Sequence, residues 1–269
     1  MAHQLLAGKT GIIFGALDDL SIAWKVAEQA HAAGAKFVLT NAPVALRMGK
    51  IQDLAEKTGS QLVAADATNL DDINALLDVA EEQFGKIDFV LHSIGMSPNV
   101  RKKREYTNLK YEWLHKTYDI SAMSFHKIMQ CLYQRDLMNE WGSILALSYV
   151  AAQRTFSEYN DMAEAKALLE SIARSFGYHF GKKSNVRVNT ISQSPTPTTA
   201  GTGVSGFDKM LDYGAKMSPL GNATAEECAD YCLMMFSDFT RKVTMQNLFH
   251  DGGFSSVGIS GDLLESFGE

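Results

Sequence analysis

Cysteine, proline, long apolar runs and excess positive charge are all scarce in this sequence, and each scarcity closes off a class of protein. Three cysteines in 269 residues, an odd number, do not make a disulfide framework. Cys228 and Cys232 stand four apart in a helical pattern and read as reduced core thiols. No second pair completes a zinc site. The seven histidines show no H-E-x-x-H and no ligand cluster, so no metal is expected. No apolar run approaches the roughly 20 residues that span a bilayer. The N-terminus lacks the basic-then-apolar signature of a secretory signal. These absences predict a soluble, cytoplasmic protein without membrane insertion. The net charge of −6 offers no basic field for nucleic acid.

What is present is an α/β pattern. With 46% hydrophobic residues over 269 positions, the chain can bury one large core, and length alone does not require two domains. Thr10 to Phe14 is a short apolar run and reads as a first buried strand. Gly15 to Ser21 follows as a loop, then a helix to about Ala33, stopped by Gly34. Lys36–Thr40, Gln61–Ala64 and Ile87–His92 read as further strands. Val44–Thr58 and Leu70–Phe84 read as the helices between them. Gly142–Leu147 reads as a fifth strand, Asn185–Ile191 as a sixth and Val243–His250 as the last. Tyr111–Met138 reads as one long amphipathic helix. The alternation predicts a doubly wound, Rossmann-like fold: a parallel sheet of about seven strands with helices on both faces, in one domain over residues 1–269. Such a sheet binds ligands at the carboxyl ends of its strands.

Three of the five prolines fall between Pro195 and Pro219, among several glycines and threonines. A stretch of that composition reads as a loop, and a loop that long in a compact domain is usually functional, often a lid over a ligand. Thr224 to Glu227 reads as a helix start with a capping box, on the helix that carries Cys228 and Cys232.

The strongest chemical signal is a tyrosine and a lysine on one helix. Met162, Ala165, Leu168, Leu169, Ile172 and Phe176 define an apolar face after Tyr159. At about 100° per residue, the seven residues from Tyr159 to Lys166 make close to two turns. Both side chains therefore leave the same face, with Met162 between them. A phenol and an ammonium so held can serve one reaction: the cation polarises the phenol, and the phenol stabilises or protonates an oxyanion. Chance puts the same pair on many helices, as one buried ring and one solvated amine. The glycine turn is ambiguous in the same way. Gly11 and Gly15, then Ser21, Ile22 and Ala23, do not make G-x-G-x-x-G. Any pyrophosphate there would rely on backbone N–H groups and Ser21, with Asp18 and Asp19 turned outward.

Taken together these residues resemble the NAD(P)H-dependent enoyl-acyl carrier protein reductases of bacterial fatty-acid synthesis, a divergent branch of the short-chain dehydrogenase/reductases. The likeness runs from Gly8 to Phe254. It is carried by Gly15-x5-Ser21-Ile-Ala, by His92-Ser-Ile-Gly95, and by Tyr149-x9-Tyr159-x6-Lys166. Val188-Asn-x-Ile-Ser192, Pro195 and Asp251-Gly-Gly-Phe254 add to it. The wider superfamily uses Tyr-x3-Lys, and the residue four after Tyr159 is Ala163.

The resemblance implies reduction of a trans-2-enoyl thioester on an acyl carrier protein. Hydride would reach the β-carbon, and Tyr159 would stabilise the enolate. Lys166 would bind the nicotinamide ribose and support the tyrosine. Tyr149 would flank the pocket as shape or as a secondary donor. Gly15, Ser21 and Ile22 would hold the pyrophosphate, Asp66 and Ala67 the adenine, and Ser93, Ile94 and Gly95 the ribose and nicotinamide. Thr196, Thr198, Thr199 and Ala200 would cover the nicotinamide end from a lid at about 195–220. Met96, Ser97, Met162, Ala200, Val204, Phe207 and Met210, with both tyrosines, would line the acyl channel. A homotetramer is implied as well, with the helices at Tyr111–Met138 and Tyr159–Gly181 as candidate contacts.

Three departures stand out. Asp18 and Asp19 put negative charge in the cofactor turn. Gln193-Ser194 replaces the usual Ala-Gly before Pro195, which would stiffen the lid. Asn41 and Ala42 after the second strand offer neither carboxylate nor arginine to an adenosine ribose. With no cation there NADH is expected, and Arg47 a few residues on keeps NADPH open. Arg101 to Arg104 reads either as a solvated loop or as a landing site for the acidic carrier. Two rival readings remain: a short-chain dehydrogenase acting on a keto or hydroxy substrate, and a non-catalytic nicotinamide-nucleotide sensor.

Overall fold

The apolar runs of the sequence become the strands of one sheet. The computed structural model of the chain describes residues 4–199, 201–203 and 206–267. The strands are β1 (Thr10–Phe14), β2 (Lys36–Asn41), β3 (Gln61–Ala64), β4 (Ile87–His92), β5 (Met138–Ser148), β6 (Arg187–Gln193) and β7 (Asn247–His250). They pair in the order β3-β2-β1-β4-β5-β6-β7, and every pairing is parallel. This is a Rossmann-like doubly wound sheet. The helices are α1 (Ile22–Ala32), α2 (Pro43–Met48), α3 (Ile51–Thr58), α4 (Leu70–Phe84), α5 (Pro98–Arg101) and α6 (Tyr111–Tyr118). After them come α7 (Ser124–Gln134), α8 (Asn160–Ser184), α9 (Phe207–Met217), α10 (Ala225–Phe236) and α11 (Gly261–Glu265).

Period-two alternation explains why the strands read as continuous apolar runs. Ile12, Phe14, Val38, Val90, Ile144 and Val188 face one core with α4, α7 and α8. Ile13, Phe37, Leu39, Phe89, Leu91 and Leu145 face the other with α1, α3 and α10. Both faces are covered, so the polar strand residues are buried as well: in β6, Arg187, Asn189, Thr190, Ser192 and Gln193 all lie inside. Each fully buried Phe or Leu contributes roughly 1.5–3 kcal/mol by its removal from water. The helix ends are fixed locally. Asn69 accepts from the Asp71 and Asp72 N–H groups at the start of α4. Thr224 and Glu227 close a capping box on α10, a device worth about 1 kcal/mol.

Four elements differ from their reading in the sequence. The expected helix over Val44–Thr58 is two helices, broken where the Lys50 N–H turns to the Leu17 carbonyl at 2.8 Å. The expected helix over Tyr111–Met138 opens into a π turn at Asp119–Met123 and stops at Gln134. Asp136, at φ 53°, then turns the chain into β5, so Met138 begins a strand. The proline-rich stretch is not all loop, because it contains the eleven-residue α9. The last strand is shorter than read: Lys242 (φ 77°) and Met245 (φ 63°) hold the approach to β7 out of extended geometry. Among the described residues no helix is long and apolar enough to cross a membrane.

Candidate functional site

Parallel pairing puts the carboxyl ends of β1, β4, β5 and β6 at one edge of the sheet. The strand order reverses between β1 and β4, and a crevice opens there. It spans about 1030 Å³, part of it open to solvent, and is walled by residues at or just past the strand ends: Ser93 to Ser97 after β4, Ser148 and Tyr149 at the end of β5, and Gln193 to Thr196 at the end of β6. Ile94 and Met96 also line a second hollow of about 850 Å³, which holds Asn41, Asp66, Ala67 and Thr68. The two hollows share the wall made by Ile94 and Met96, with Asp66 in one and Lys166 in the other.

Gly15 lies where β1 meets β4. It has φ 96°, and a Cβ there would stand 2.0 Å from the Ser93 carbonyl oxygen. Only glycine permits that approach. Ile22 lines the cleft, whereas the Ser21 hydroxyl folds back into its own loop, accepting from the Leu17 and Asp18 N–H groups at 3.1 Å each. Asp19 is exposed near Lys50, 3.8 Å away. Asp18 is not turned outward as read. Its Oδ2 accepts from Thr199 Oγ1 at 2.5 Å, tying the turn to the expected lid. Asp66 Oδ1 accepts from the Thr68 N–H (2.9 Å) and hydroxyl (2.8 Å).

Tyr149, Tyr159, Met162 and Lys166 converge on the cleft. The two tyrosine rings lie 5.0 Å apart at 54°. The Tyr149 hydroxyl is buried and has no partner among the described residues. The Lys166 ammonium donates to the Leu147 carbonyl at 2.7 Å. Burial lowers its pKa to about 8, and Glu170 one turn along acts in the opposite sense. Glu170 is itself held by Ser148 Oγ at 2.7 Å and Gln153 Nε2 at 3.1 Å. Burial raises Tyr159 well above the ordinary phenol value. The Lys166 charge faces a strand-end carbonyl, and burial favours the neutral form of Tyr159. His92, at the end of β4, is buried behind the wall with Nε2 on Ser124 Oγ at 2.8 Å. Burial first, then Lys166, holds its pKa at about 3.

Of the lid residues, Thr196, Thr198, Phe207 and Met210 line the cleft. Thr199 is exposed on Asp18 and does not line it. Ala200 and Val204 lie outside the described residues. Gln193 anchors the lid's base: Nε2 donates to Thr196 Oγ1 at 3.1 Å and to the Ala223 carbonyl at 3.2 Å, and Oε1 accepts from His250 Nδ1 at 2.8 Å. Leu147, Ser148, Gln193 and Val100 also wall the cleft and were not picked out as site residues from the sequence. The first three sit at strand carboxyl ends, and that rule alone could have found them. Val100 had no local signal. Arg101 lines the cleft; Arg101, Lys102 and Lys103 are exposed, while Arg104 is half-buried and donates from Nε to the Asn108 carbonyl at 2.7 Å.

Known proteins share this arrangement. A family model described as enoyl-(acyl carrier protein) reductase matches residues 15–255. The enoyl-[acyl-carrier-protein] reductase [NADH] 2 of Rhizobium meliloti is 34% identical over 255 residues, covering 94% of this chain and 94% of that one. The crystal structure of a FabI–NADH complex from Alistipes finegoldii superposes with a TM-score of 0.96 at 62% identity, covering 97% of this chain and 92% of that one. An enoyl-(acyl-carrier-protein) reductase from Anaplasma phagocytophilum, solved with NAD, gives 0.89 at 31% identity, covering 96% and 98%.

Proposed function

The chain belongs to the enoyl-(acyl carrier protein) reductase family, and from that premise and the cleft's geometry we infer that it reduces trans-2-enoyl-acyl carrier protein thioesters to saturated acyl thioesters with NADH, in fatty-acid synthesis. The observation that carries the reading is Tyr159, at the N-cap of α8, and Lys166, on that helix, both facing the cleft whose Ile94 and Met96 also wall the hollow of Asp66.

The residues present fit a nicotinamide dinucleotide. Gly15 brings backbone to backbone at the β1 turn, and a Cβ on Gly95 would point to within 3.7 Å of Lys166 Nζ. Ile22, with the backbone around Gly15 and Ser21, would hold the pyrophosphate, and Ser93 to Gly95 the nicotinamide ribose. Asp66 keeps Oδ2 free of bonds among the described residues, in place to accept from an adenine amine beside Ala67. When bound, NADH supplies the hydride that adds to the β-carbon. Tyr159, kept neutral by burial, donates to the thioester oxygen as charge gathers there; donors preorganised at such a charge are worth roughly 10²–10³ in rate. Lys166 holds the ribose hydroxyls and leaves the phenol protonated. Tyr149 offers a second hydroxyl to the same pocket. Met96, Ser97, Met162, Phe207 and Met210 shape the acyl channel, and the stretch at 195–220 closes over it.

The enzyme works as one nicotinamide-binding domain in the cytoplasm and as a homotetramer, with α6, α7 and α8 as the candidate contacts; light scattering tests the oligomeric state directly. One assay separates the readings: NADH and NADPH consumption with crotonyl thioester, with a β-keto thioester, and with neither. Turnover confined to the enoyl substrate supports the assignment. Turnover of the keto substrate alone would move the enzyme to the ordinary dehydrogenases, and none with either would leave a nucleotide sensor.

A further inference from the structure

A carboxylate that the reaction does not use lies two residues past Tyr159. Asp161 is fully buried, and no lysine or arginine forms an ion pair with it among the described residues. Its charge is met by three neutral donors: Ser97 Oγ at 2.6 Å, Asn99 Nδ2 at 2.9 Å and Thr117 Oγ1 at 2.9 Å. It stands in the first turn of α8, where the helix dipole favours an anion. A buried charge without a cation persists only where its hydrogen bonds are complete.

All three donors come from one stretch of chain. Ser97 caps α5 by accepting the Val100 N–H at 3.0 Å. Asn99 passes the link on to the backbone of Lys110, whose N–H its Oδ1 accepts at 3.1 Å. Thr117 belongs to α6. Two neighbours of Asp161 repeat the attachment. Asn160, held at φ 45°, donates to the Arg104 carbonyl at 2.6 Å. Glu164 accepts the hydroxyls of both Tyr106 and Tyr118. Residues 97–118 are thus fastened to the first two turns of α8. That stretch supplies Ser97, Val100 and Arg101 to the cleft, which α8 completes with Met162 and Lys166 just after Tyr159. Val100 packs against Met162 and Tyr159.

We propose that Asp161 and Glu164 are positioning residues that hold residues 97–118 as a rigid wall of the acyl channel and thereby set its discrimination by acyl length. The inference rests on the enoyl-reductase reading. A four-carbon acyl group meets little beyond the reacting atoms and is nearly indifferent to the wall. A twelve-carbon group depends on it.

The test compares crotonyl and trans-2-dodecenoyl coenzyme A thioesters in the wild type and in Asp161→Ala, Asp161→Asn, Glu164→Ala and Thr117→Val. In Asp161→Ala the dodecenoyl substrate loses about tenfold more kcat/KM than crotonyl, chiefly through KM, because a loosened wall misplaces the chain. The NADH Kd stays within about twofold of the wild type, since Asp161 itself lines neither hollow. Asp161→Asn, which keeps one acceptor oxygen, recovers part of the loss. Equal losses on both thioesters, or an NADH Kd that moves with them, would reduce Asp161 to a fold-stabilising role and overturn the proposal. Should Asp161→Ala fail to fold, Thr117→Val and Glu164→Ala decide by the same ratio. A wild type inert toward both thioesters would overturn the enoyl-reductase reading and this inference with it. An active wild type with unchanged ratios in the variants overturns this inference alone.

Discussion

The Lys166 ammonium donates to the Leu147 carbonyl at 2.7 Å, which fixes the amine at the carboxyl end of β5 before any nucleotide arrives. With its pKa lowered to about 8 by burial, the group is charged below that pH and neutral above it. The ion–dipole attraction to ribose hydroxyls is therefore present at pH 7 and lost as pH rises through 8. NADH affinity should fall by up to about tenfold per pH unit above that point. Fluorescence titration between pH 6.5 and 9.5 checks this. Lys166→Met should bind weakly with a flat profile. A flat profile in the wild type would remove the ammonium from cofactor binding.

Tyr159 and Tyr149 should separate under the same substitution. Tyr159→Phe removes an interaction made mainly in the transition state, so kcat should drop about 10²–10³-fold with NADH affinity little changed. Tyr149→Phe removes a buried hydroxyl that has no protein partner. Deleting an unsatisfied buried group costs little stability and can add some, so its Tm should hold or rise. Its kcat should fall far less than that of Tyr159→Phe. Equal losses in kcat would make Tyr149 a full partner in the chemistry.

The parts of this molecule legible in the sequence are those fixed by local periodicity. Leu70–Phe84 and Ile87–His92 were read to the residue, because each is a clean apolar pattern closed by a cap or a turn. The misread elements were decided by features that periodicity does not carry. The π turn at Asp119–Met123 keeps the apolar stripe running, so α6 and α7 look like one helix. α9 was hidden because the prolines and glycines flank it and its own pattern is short. Tyr159 and Lys166 were legible because they stand seven residues apart, the first at the N-cap of the helix that carries the second. The role of Asp161 was not, since its donors at 97, 99 and 117 are remote in sequence. Asp18 was misplaced for the same reason: its partner Thr199 is 181 residues away.

That distant partner has a measurable consequence. Asp18 Oδ2 holds Thr199 beside the turn expected to take the pyrophosphate, and its negative charge opposes that of the phosphates. Asp18→Asn keeps an oxygen for the Leu20 N–H and removes the charge. NADH should then bind several-fold more tightly, by about 1 kcal/mol for one screened charge at this range, and the gain should shrink in high salt. Calorimetric titration at two ionic strengths reads both effects. Weaker binding by Asp18→Asn would mean that the tie to Thr199 shapes the site more than the charge opposes the ligand.

The remaining charge question concerns the carrier protein. Arg101, Lys102 and Lys103 are exposed and form no salt bridges among the described residues, in a chain whose net charge is −6. A side pocket that shares Tyr159 and Met210 with the main cleft adds Arg154 and Lys209. Cations gathered at a mouth raise the encounter rate with an acidic partner and do so less as salt screens them. Lys102→Glu with Lys103→Glu should therefore lower kcat/KM for carrier-bound substrate by about tenfold at low ionic strength. The same pair should leave a coenzyme A thioester within about twofold, because a small substrate needs no docking face. Arg104 is the wrong residue to reverse, since its Nε braces the Asn108 carbonyl and its loss would confound docking with loop geometry. Equal losses on both substrates at every salt concentration would show that these lysines serve the loop and not the partner.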